Sequence, residues 1–366
     1  MIWLALPALA AAGYYFLAIV AAFLWGRMSS WLPTRPSPVS ILKPVHGRDP
    51  NFYAAIRSHA EQDYPEFEIL FGVSDSADAA LGDIQQLQRE FPDRHISIAV
   101  VSTAAPNAKA GVLAELARQA RYPLLLVNDS DIIVERDYLR AVTAPLADPA
   151  IGLVTCLYRA RGESWASRME ALGIATEFAP SVLVARLLGV AEFALGSTMV
   201  FRAETLRRVG GFESLADYLA DDYQLGLRIS ELGLRIAFAP AVVETDLGGG
   251  SWGQTWRHQL RWSRTIRVSR PSGYYGYAVT HATLWALVAF AAGAWWAGAI
   301  ALAVRIAAGI AVGRGILRDC NVTRDFWLMP LRDLFGFAVW LAGLFGRRVQ
   351  WRGRSLLLRP DGRISA

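Results

Sequence analysis

Apolar residues run without a charge from Trp3 to Trp25, break into short alternating blocks, and return at Ala278 to Val312 and at Phe326 to Phe345. The first run is long enough to cross a bilayer as a helix and carries Trp near both ends as interfacial anchors. No positive charge precedes it, and its apolar stretch exceeds that of a signal peptide, so a retained anchor is expected over 1–26. Arg27, the first basic residue, then takes the chain into the cytoplasm by the positive-inside rule. The stretch from Ala278 to Val312 has Arg305 as its only charge and suits one tilted span or two short ones. The last run contains Arg332 and Asp333 and suits a crossing, a re-entrant segment or an interfacial helix. A membrane region over 276–346 and a basic cytoplasmic tail over 347–366 follow, the tail carrying Arg347, Arg348, Arg352, Arg354 and Arg359.

Between these runs the pattern changes to hydrophobic stretches of strand length separated by amphipathic ones. Strands are predicted at Val39 to Leu42, Phe67 to Val73, Ile96 to Val101, Leu124 to Val127, Gly152 to Leu157, Thr198 to Phe201 and Arg235 to Phe238. Helical patterns lie between most of them, so 37–250 reads as an α/β domain. The segment 251–272 is an amphipathic helix. Trp252, Trp256, Leu260 and Ser263 recur on one face while Arg257, His258, Arg261, Arg264 and Arg267 supply cations, a pattern suited to a membrane interface.

Composition adds to this picture. With 54% hydrophobic residues and 13 Trp among 366 residues, the chain is too apolar for a purely soluble enzyme. Two cysteines, Cys156 and Cys320, cannot build a disulfide framework. The net charge of +5 is concentrated beside the apolar runs, where it suits lipid headgroups and topology. No basic groove with interleaved aromatics appears in the sheet region, so nucleic acid is not an expected partner. There is no Cys/His cluster of zinc spacing, no P-loop and no GxSxG.

The chemistry-bearing residues sit at strand ends. Asn128, Asp129, Ser130 and Asp131 follow the apolar run ending at Val127, where an open α/β sheet presents its site. Two carboxylates there can share a divalent cation whose remaining ligands are diphosphate oxygens. Asp131 serves as readily as a helix N-cap and Asp129 as a turn former. Asp75 follows its own strand in the same way. Of 37 basic residues only Lys43 and Lys109 are lysines. Against such an arginine bias, both are placed to meet phosphate or nucleotide, unless they are chance survivors of drift. Asp221 and Asp222 open a helical pattern, either as caps or with one carboxylate as a general base. Val182 to Val190 is apolar enough to touch bilayer or a lipid tail, and equally suits a buried helix. Gly196, Ser197 and Thr198 fit a close-approach loop or a strand-entry turn.

The ordered set Asp75, Asp129-Ser130-Asp131, Asp221-Asp222 and Gln259-Leu260-Arg261-Trp262 resembles the D, DxD, (E/D)D, (Q/R)xxRW pattern of membrane-bound inverting glycosyltransferases of the family 2 and ceramide glucosyltransferase-like (family 21) types. The likeness covers about residues 39 to 270, with a weaker match at Trp351-Arg352-Gly353-Arg354. Val39 to Pro44, Gly47, Asp49-Pro50 and Gln62-Asp63-Tyr64-Pro65 look like the start of ceramide glucosyltransferases, and Asn107 to Gly111 is similar to a UDP-contacting Lys loop. Leu153 to Arg159, Pro180 to Arg186 and His258 to Trp262 look closer to bacterial hopanoid-biosynthesis glycosyltransferases. One departure is that His258, not Gln259, stands three residues before Arg261. Either His258 takes that role or Gln259 is offset into it.

The resemblance implies a GT-A type nucleotide-sugar-binding domain with one N-terminal and two or three C-terminal membrane or interfacial helices, in the bacterial inner membrane with the catalytic domain facing the cytoplasm. It implies transfer of a sugar, N-acetylglucosamine for this branch, from its UDP donor to a hydroxyl of a membrane lipid, a hopanoid such as bacteriohopanetetrol, with inversion to a β-glycoside. Glucosylation of ceramide is the nearest alternative. A processive polysaccharide synthase would need more spans to line its channel. In the implied roles, Asp75 and Lys109 hold uridine and diphosphate, and Asp129 faces the donor sugar or ribose. Asp131, with Asp129, holds Mg²⁺ or Mn²⁺; Asp222 is the general base. Arg261 and Trp262, with His258 or Gln259, bind the leaving diphosphate and shape the acceptor site, and Lys43 adds a cation nearby.

Overall fold

Buried, continuously apolar strands set the architecture. In the computed structural model, which describes residues 2–27 and 36–365, β1 (Val39–Val45), β2 (Phe67–Val73), β3 (His95–Val100) and β4 (Leu124–Val127) lie parallel. Every residue of β1, β2 and β4 is buried, as expected of parallel strands covered on both faces. The remaining strands are β5 (Ile132–Ile133), β6 (Ile151–Arg161), β7 (Met199–Arg202) and β8 (Arg235–Asp246), giving the order β3-β2-β1-β4-β7-β6-β8-β5. β7 runs antiparallel to both β4 and β6. The chain steps from β1 outward to β2 and β3, then crosses to β4 on the other side of β1. That reversal leaves a crevice at the carboxyl ends of β1 and β4.

Adjacent residues feed opposite layers: Ile41 packs with Phe52, Ile56 and Ile69, while Leu42 packs with Leu113, Leu125 and Leu225. Each expected strand is present. β1 continues beyond Leu42 through the buried Lys43 to Val45, and β8 continues beyond Phe238 to Asp246, because tertiary pairing holds polar residues that interrupt the apolar pattern. β5 has only two residues, too few for periodicity to register.

The N-terminal helix Ile2–Trp25 packs on the helices Ala282–Ala291 and Trp295–Ile310. Ala5, Ala8 and Ala12 meet Ala286, Ala289, Ala297 and Ala301, so small side chains let the helices approach closely. Gly293, at φ 76°, separates the latter two helices, and the stretch from Ala278 to Val312 therefore folds as two helices. Trp3–Trp25 and Trp295–Ile316 are each long and apolar enough to cross a membrane. The helix Met329–Gly343 has 15 residues, about 22 Å at 1.5 Å per residue, less than a bilayer's hydrocarbon core. Its Asp333 pairs with Arg305 at 2.6 Å, both fully buried, and accepts a hydrogen bond from Thr283 at 2.8 Å. The charges within the apolar runs thus face each other inside the helix bundle. The helix Ala179–Leu187 buries Val182, Leu183 and Val184 against the N-terminal helix, while Leu187 and Leu188 at its end are exposed, so only the first part of this apolar segment is a buried helix.

The last residues form a second sheet, with β9 (Arg348–Trp351), β10 (Arg354–Leu358) and β11 (Ile364–Ser365) in the order β11-β10-β9. Arg352 and Gly353, at φ 48° and 76°, make the two-residue turn that a right-twisted hairpin needs. This sheet encloses Leu219 with Val349, Leu356, Leu358 and Ile364, and Ile364 N–H donates to Asp217 O at 2.7 Å. It therefore braces the segment leading into Asp221.

Candidate active site

The crevice between β1 and β4 gathers most of the charged residues singled out above. Lys43, fully buried on β1, donates to the Asp129 backbone carbonyl at 3.0 Å. Burial pulls its ammonium down to about 7, with Asp131 and Asp129 opposing. Asn107 caps the helix Ala108–Gln119 by accepting from Ala110 N–H, and its amide donates to Tyr218 O at 2.7 Å. That cap fixes Lys109, whose Nζ lies 2.6 Å from Asp129 Oδ1 and 3.8 Å from Asp221 Oδ2. Burial disfavours the Lys109 charge, but Asp129 and Asp221 outweigh it and push the ammonium up. Lys109 in turn outweighs burial at Asp129 and holds that carboxyl below its ordinary value. Asp129 keeps 45% of its side chain open to the cleft.

Asp131 is not a helix cap, since β5 follows it directly and the next helix begins at Tyr138. Thr245 on β8 donates to Asp131 Oδ2. Burial, then the charges of Asp129 and Asp49, push the Asp131 carboxyl up to about 6. Ser130 turns away and donates to Asp49 Oδ2 at 2.7 Å. Asn128 is pinned from below, its amide 2.8 Å from His59 Nε2, with His59 Nδ1 on Ala55 O. Among the described residues no three His, Cys, Asp or Glu side chains converge as a metal cage. Two carboxylates of hard oxygen donors, one raised by its neighbours' negative charge, do suit a divalent cation that completes its shell with diphosphate oxygens.

Asp221 and Asp222 are the first two residues of the helix Asp221–Glu231, whose N-cap is Ala220. Neither is the cap itself. Asp222 Oδ2 accepts from Gly196 N–H at 3.0 Å, and burial, then Asp221, push its carboxyl up to about 6. A Cβ at Gly196 would lie 3.2 Å from Asp222 Oδ2 and 3.7 Å from Asp129 Oδ2, so the two carboxylates border the same space. The loop at Gly196 is thus a close approach.

Asp75 lies at the exposed tip of β2, where its carboxylate accepts from Ala77 N–H at 2.9 Å. It shares the sheet edge with the others but has no hydrogen bond to them. The helix Trp252–Ser269 brings in the remaining set. Burial lowers the Arg261 guanidinium, with the charges of Asp129 and Glu170 opposing. His258 packs on Trp262 at 4.6 Å between ring centres, and its Nδ1 bonds Glu170. Gln259 donates to the same Glu170 oxygen at 3.2 Å and accepts from Arg332 at 3.1 Å. Both candidates for the first motif position therefore meet one carboxylate.

Two contributors were not singled out in the sequence, and a third, Arg352, was noted only within the basic tail and its weak motif match. Glu170 is buried on the helix Trp165–Gly173, where only the fold reveals its contact with His258. Tyr158 on β6 packs on Phe178 at 5.4 Å, and burial, then the charges of Glu170, Asp129 and Asp222, push its phenol up. Arg352, in the β9–β10 turn, adds a smaller positive charge that favours the Asp129 carboxylate after Lys109.

A family model described as glycosyl transferase family 21 matches residues 3–364. Ceramide glucosyltransferase 1 of Caenorhabditis elegans is 29% identical over 212 residues, 57% of this chain and 45% of that protein. The probable glycosyltransferase YdaM of Bacillus subtilis (strain 168) is 24% identical over 234 residues, 62% of this chain and 54% of that protein. The chain thus spans about half the length of these relatives. The mannosyltransferase PcManGT from Pyrobaculum calidifontis, solved in complex with GDP-Man and Mn²⁺, superposes with a TM-score of 0.56 at 18% identity, covering 93% of this chain and 99% of that one. The sheet described above is accordingly of the GT-A type. Matched over nearly its whole length, the chain belongs to glycosyl transferase family 21.

Proposed function

We propose that this protein is an inverting glycosyltransferase that moves a sugar from a UDP donor to a hydroxyl of a membrane lipid. The observation that carries the reading is the space at Gly196, bordered by Asp222 on one side and by Asp129, with its partner Lys109, on the other. Asp222 takes the proton of the incoming hydroxyl, and its carboxyl near 6 is ionised at neutral pH yet basic enough for the task. The hydroxyl oxygen attacks the anomeric carbon from the face opposite the diphosphate, and the bond from that carbon to the phosphate oxygen breaks. An α-linked UDP sugar then gives a β-glycoside. Lys109, Lys43 and Arg261 offset the charge left on UDP, and Asp75 reaches the uridine side of the cleft.

A divalent cation, Mg²⁺ or Mn²⁺, would be held by Asp131 with Asp129, and when bound it neutralises the diphosphate. The N-terminal helix and the Trp295–Ile316 helix anchor the domain in the bacterial inner membrane, with Arg27 and the arginine-rich C-terminal sheet on the cytoplasmic side. His258 to Trp262 face the acceptor at that surface. In the finer reading the acceptor is a hopanoid such as bacteriohopanetetrol and the donor UDP-N-acetylglucosamine, supported by the segments Leu153 to Arg159 and Pro180 to Arg186. Ceramide and UDP-glucose form the second reading, supported by the ceramide glucosyltransferase relatives. Mass spectrometry of bacterial lipid extract incubated with purified protein and UDP-sugars tests both. A glycosylated hopanoid supports the first reading, a glycosylceramide the second, and a soluble polymer contradicts both.

A further inference from the structure

A cavity of about 90 Å³ lies between the helices Trp252–Ser269 and Met329–Gly343, lined by Gln259 and Trp262 of the motif helix. Trp262 and Phe178 line it, and Phe178 packs on Tyr158, three residues along β6 from Thr155, whose hydroxyl donates to Leu195 O at 3.3 Å beside Gly196. Ile266, which also lines it, is 45% exposed, and Trp340 and Val339 line its side on the C-terminal helix. The cavity therefore lies between the stretch of β6 beside the Gly196 loop and an apolar surface.

The walls are not uniformly apolar. Arg332, 4% exposed, lines the cavity and gives Nη2 to Gln259 Oε1 at 3.1 Å, yet its Nε and Nη1 have no hydrogen-bond partner. Glu177 Oε2 forms an ion pair with Arg332 Nη2 at 3.0 Å but accepts no hydrogen bond. Leaving buried donors and an acceptor of this kind unmet is costly unless something else meets them. Two glycines let the Arg332 and Glu177 side chains pack here: a Cβ at Gly173 would lie 2.1 Å from Arg332 Nε, and one at Gly336 2.9 Å from Nη1 and 3.1 Å from Glu177 Oε2. A water needs about 10–15 Å³ of such space, so the cavity has room for ordered water or for a polar group of a ligand.

We propose that this cavity is an acceptor subsite that reads a second polar group of the lipid, next to the hydroxyl presented to Asp222. An oxygen of that group accepts from Arg332 Nη1, its hydroxyl hydrogen reaches Glu177 Oε2, and the lipid's apolar body leaves past Ile266 and Trp340. The inference rests on the lipid-glycosyltransferase reading and deepens it. A lipid with one hydroxyl at its polar end leaves Arg332 Nη1 and Glu177 Oε2 unmet, and a site built to hydrogen-bond a polar group rejects analogues that lack it.

The test compares bacteriohopanetetrol, or ceramide if that is the lipid glycosylated, with an analogue of the same body bearing a single hydroxyl. Wild-type protein is expected to prefer the native acceptor by on the order of tenfold to hundredfold in kcat/KM. Arg332→Met is expected to erase most of that preference by raising the native acceptor's KM, with the dissociation constant for UDP unchanged. Because Arg332 is buried, Ile266→Trp, at an exposed position on the cavity's rim, gives an independent readout: a raised acceptor KM with UDP affinity intact. Equal use of both lipids by wild-type protein, or an unaltered acceptor KM in Ile266→Trp, would overturn the proposal. A wild-type protein that binds UDP and glycosylates no lipid is a separate outcome that removes the underlying reading, and the subsite with it.

Discussion

Lys109 Nζ sits 2.6 Å from Asp129 Oδ1, joining the start of one helix to the end of β4 across the crevice. The pair fixes where positive charge can meet a diphosphate, because the Lys109 ammonium is pushed up by Asp129 and Asp221 and stays charged. Lys109→Gln is expected to weaken UDP binding by on the order of tenfold to hundredfold, the range of a charge-assisted contact. Isothermal titration with UDP checks this, and unchanged affinity would remove Lys109 from the donor site.

Asp222→Asn separates chemistry from binding. Turnover is expected to fall by roughly 10²- to 10⁴-fold, the usual worth of a general base, while UDP affinity holds. Loss of UDP binding with acceptor turnover intact would contradict the assignment.

The pH profile carries the same assignment. Asp222 must be ionised to take a proton, and its carboxyl is pushed up to about 6, so kcat/KM should fall as pH drops through about 6. The sign for stability is opposite. A carboxyl raised above its unfolded value binds more protons when folded, so the free protein loses stability as pH rises from about 4 toward 6. Asp222→Asn should therefore raise the Tm at pH 7.5, which calorimetry measures.

Metal removal tests Asp131. Chelation is expected to abolish transfer, and Mn²⁺ or Mg²⁺ to restore it. In Asp131→Asn, addition of the cation should no longer tighten UDP binding, whereas a cation effect equal to wild type would place the ion elsewhere.

The C-terminal sheet gives a structural prediction. Leu219, 7% exposed, is enclosed by Val349, Leu356, Leu358 and Ile364 two residues before Asp221. Leu219→Ala is expected to cost about 2–4 kcal/mol, as large-to-small core changes do. Because the loosened segment carries the acidic pair, kcat should fall as well; denaturant unfolding and turnover together check it.

Much of this was legible in the chain. The parallel strands announce themselves as apolar runs because they are buried on both faces, and Asp129, Asp131 and Asp222 are visible as carboxylates at element ends. What escaped depends on contacts between distant segments. Glu170 meets His258 across 88 residues of sequence, and nothing beside it marks it as special. The β9–β10 hairpin is masked by its arginines, although its buried Val349, Leu356 and Leu358 do alternate with exposed neighbours. Arg332 and Asp333, adjacent in sequence, look like one interruption of an apolar run. The helix turns them to different partners, Asp333 to Arg305 and Arg332 to Glu177.

The stereochemistry of the product tests the central claim most directly. Proton NMR of the glycolipid formed from an α-linked UDP sugar reads the anomeric configuration. Attack on the face opposite the diphosphate, assisted by Asp222, predicts a β-linked sugar on a lipid hydroxyl and no α anomer; an α-linked product would contradict it.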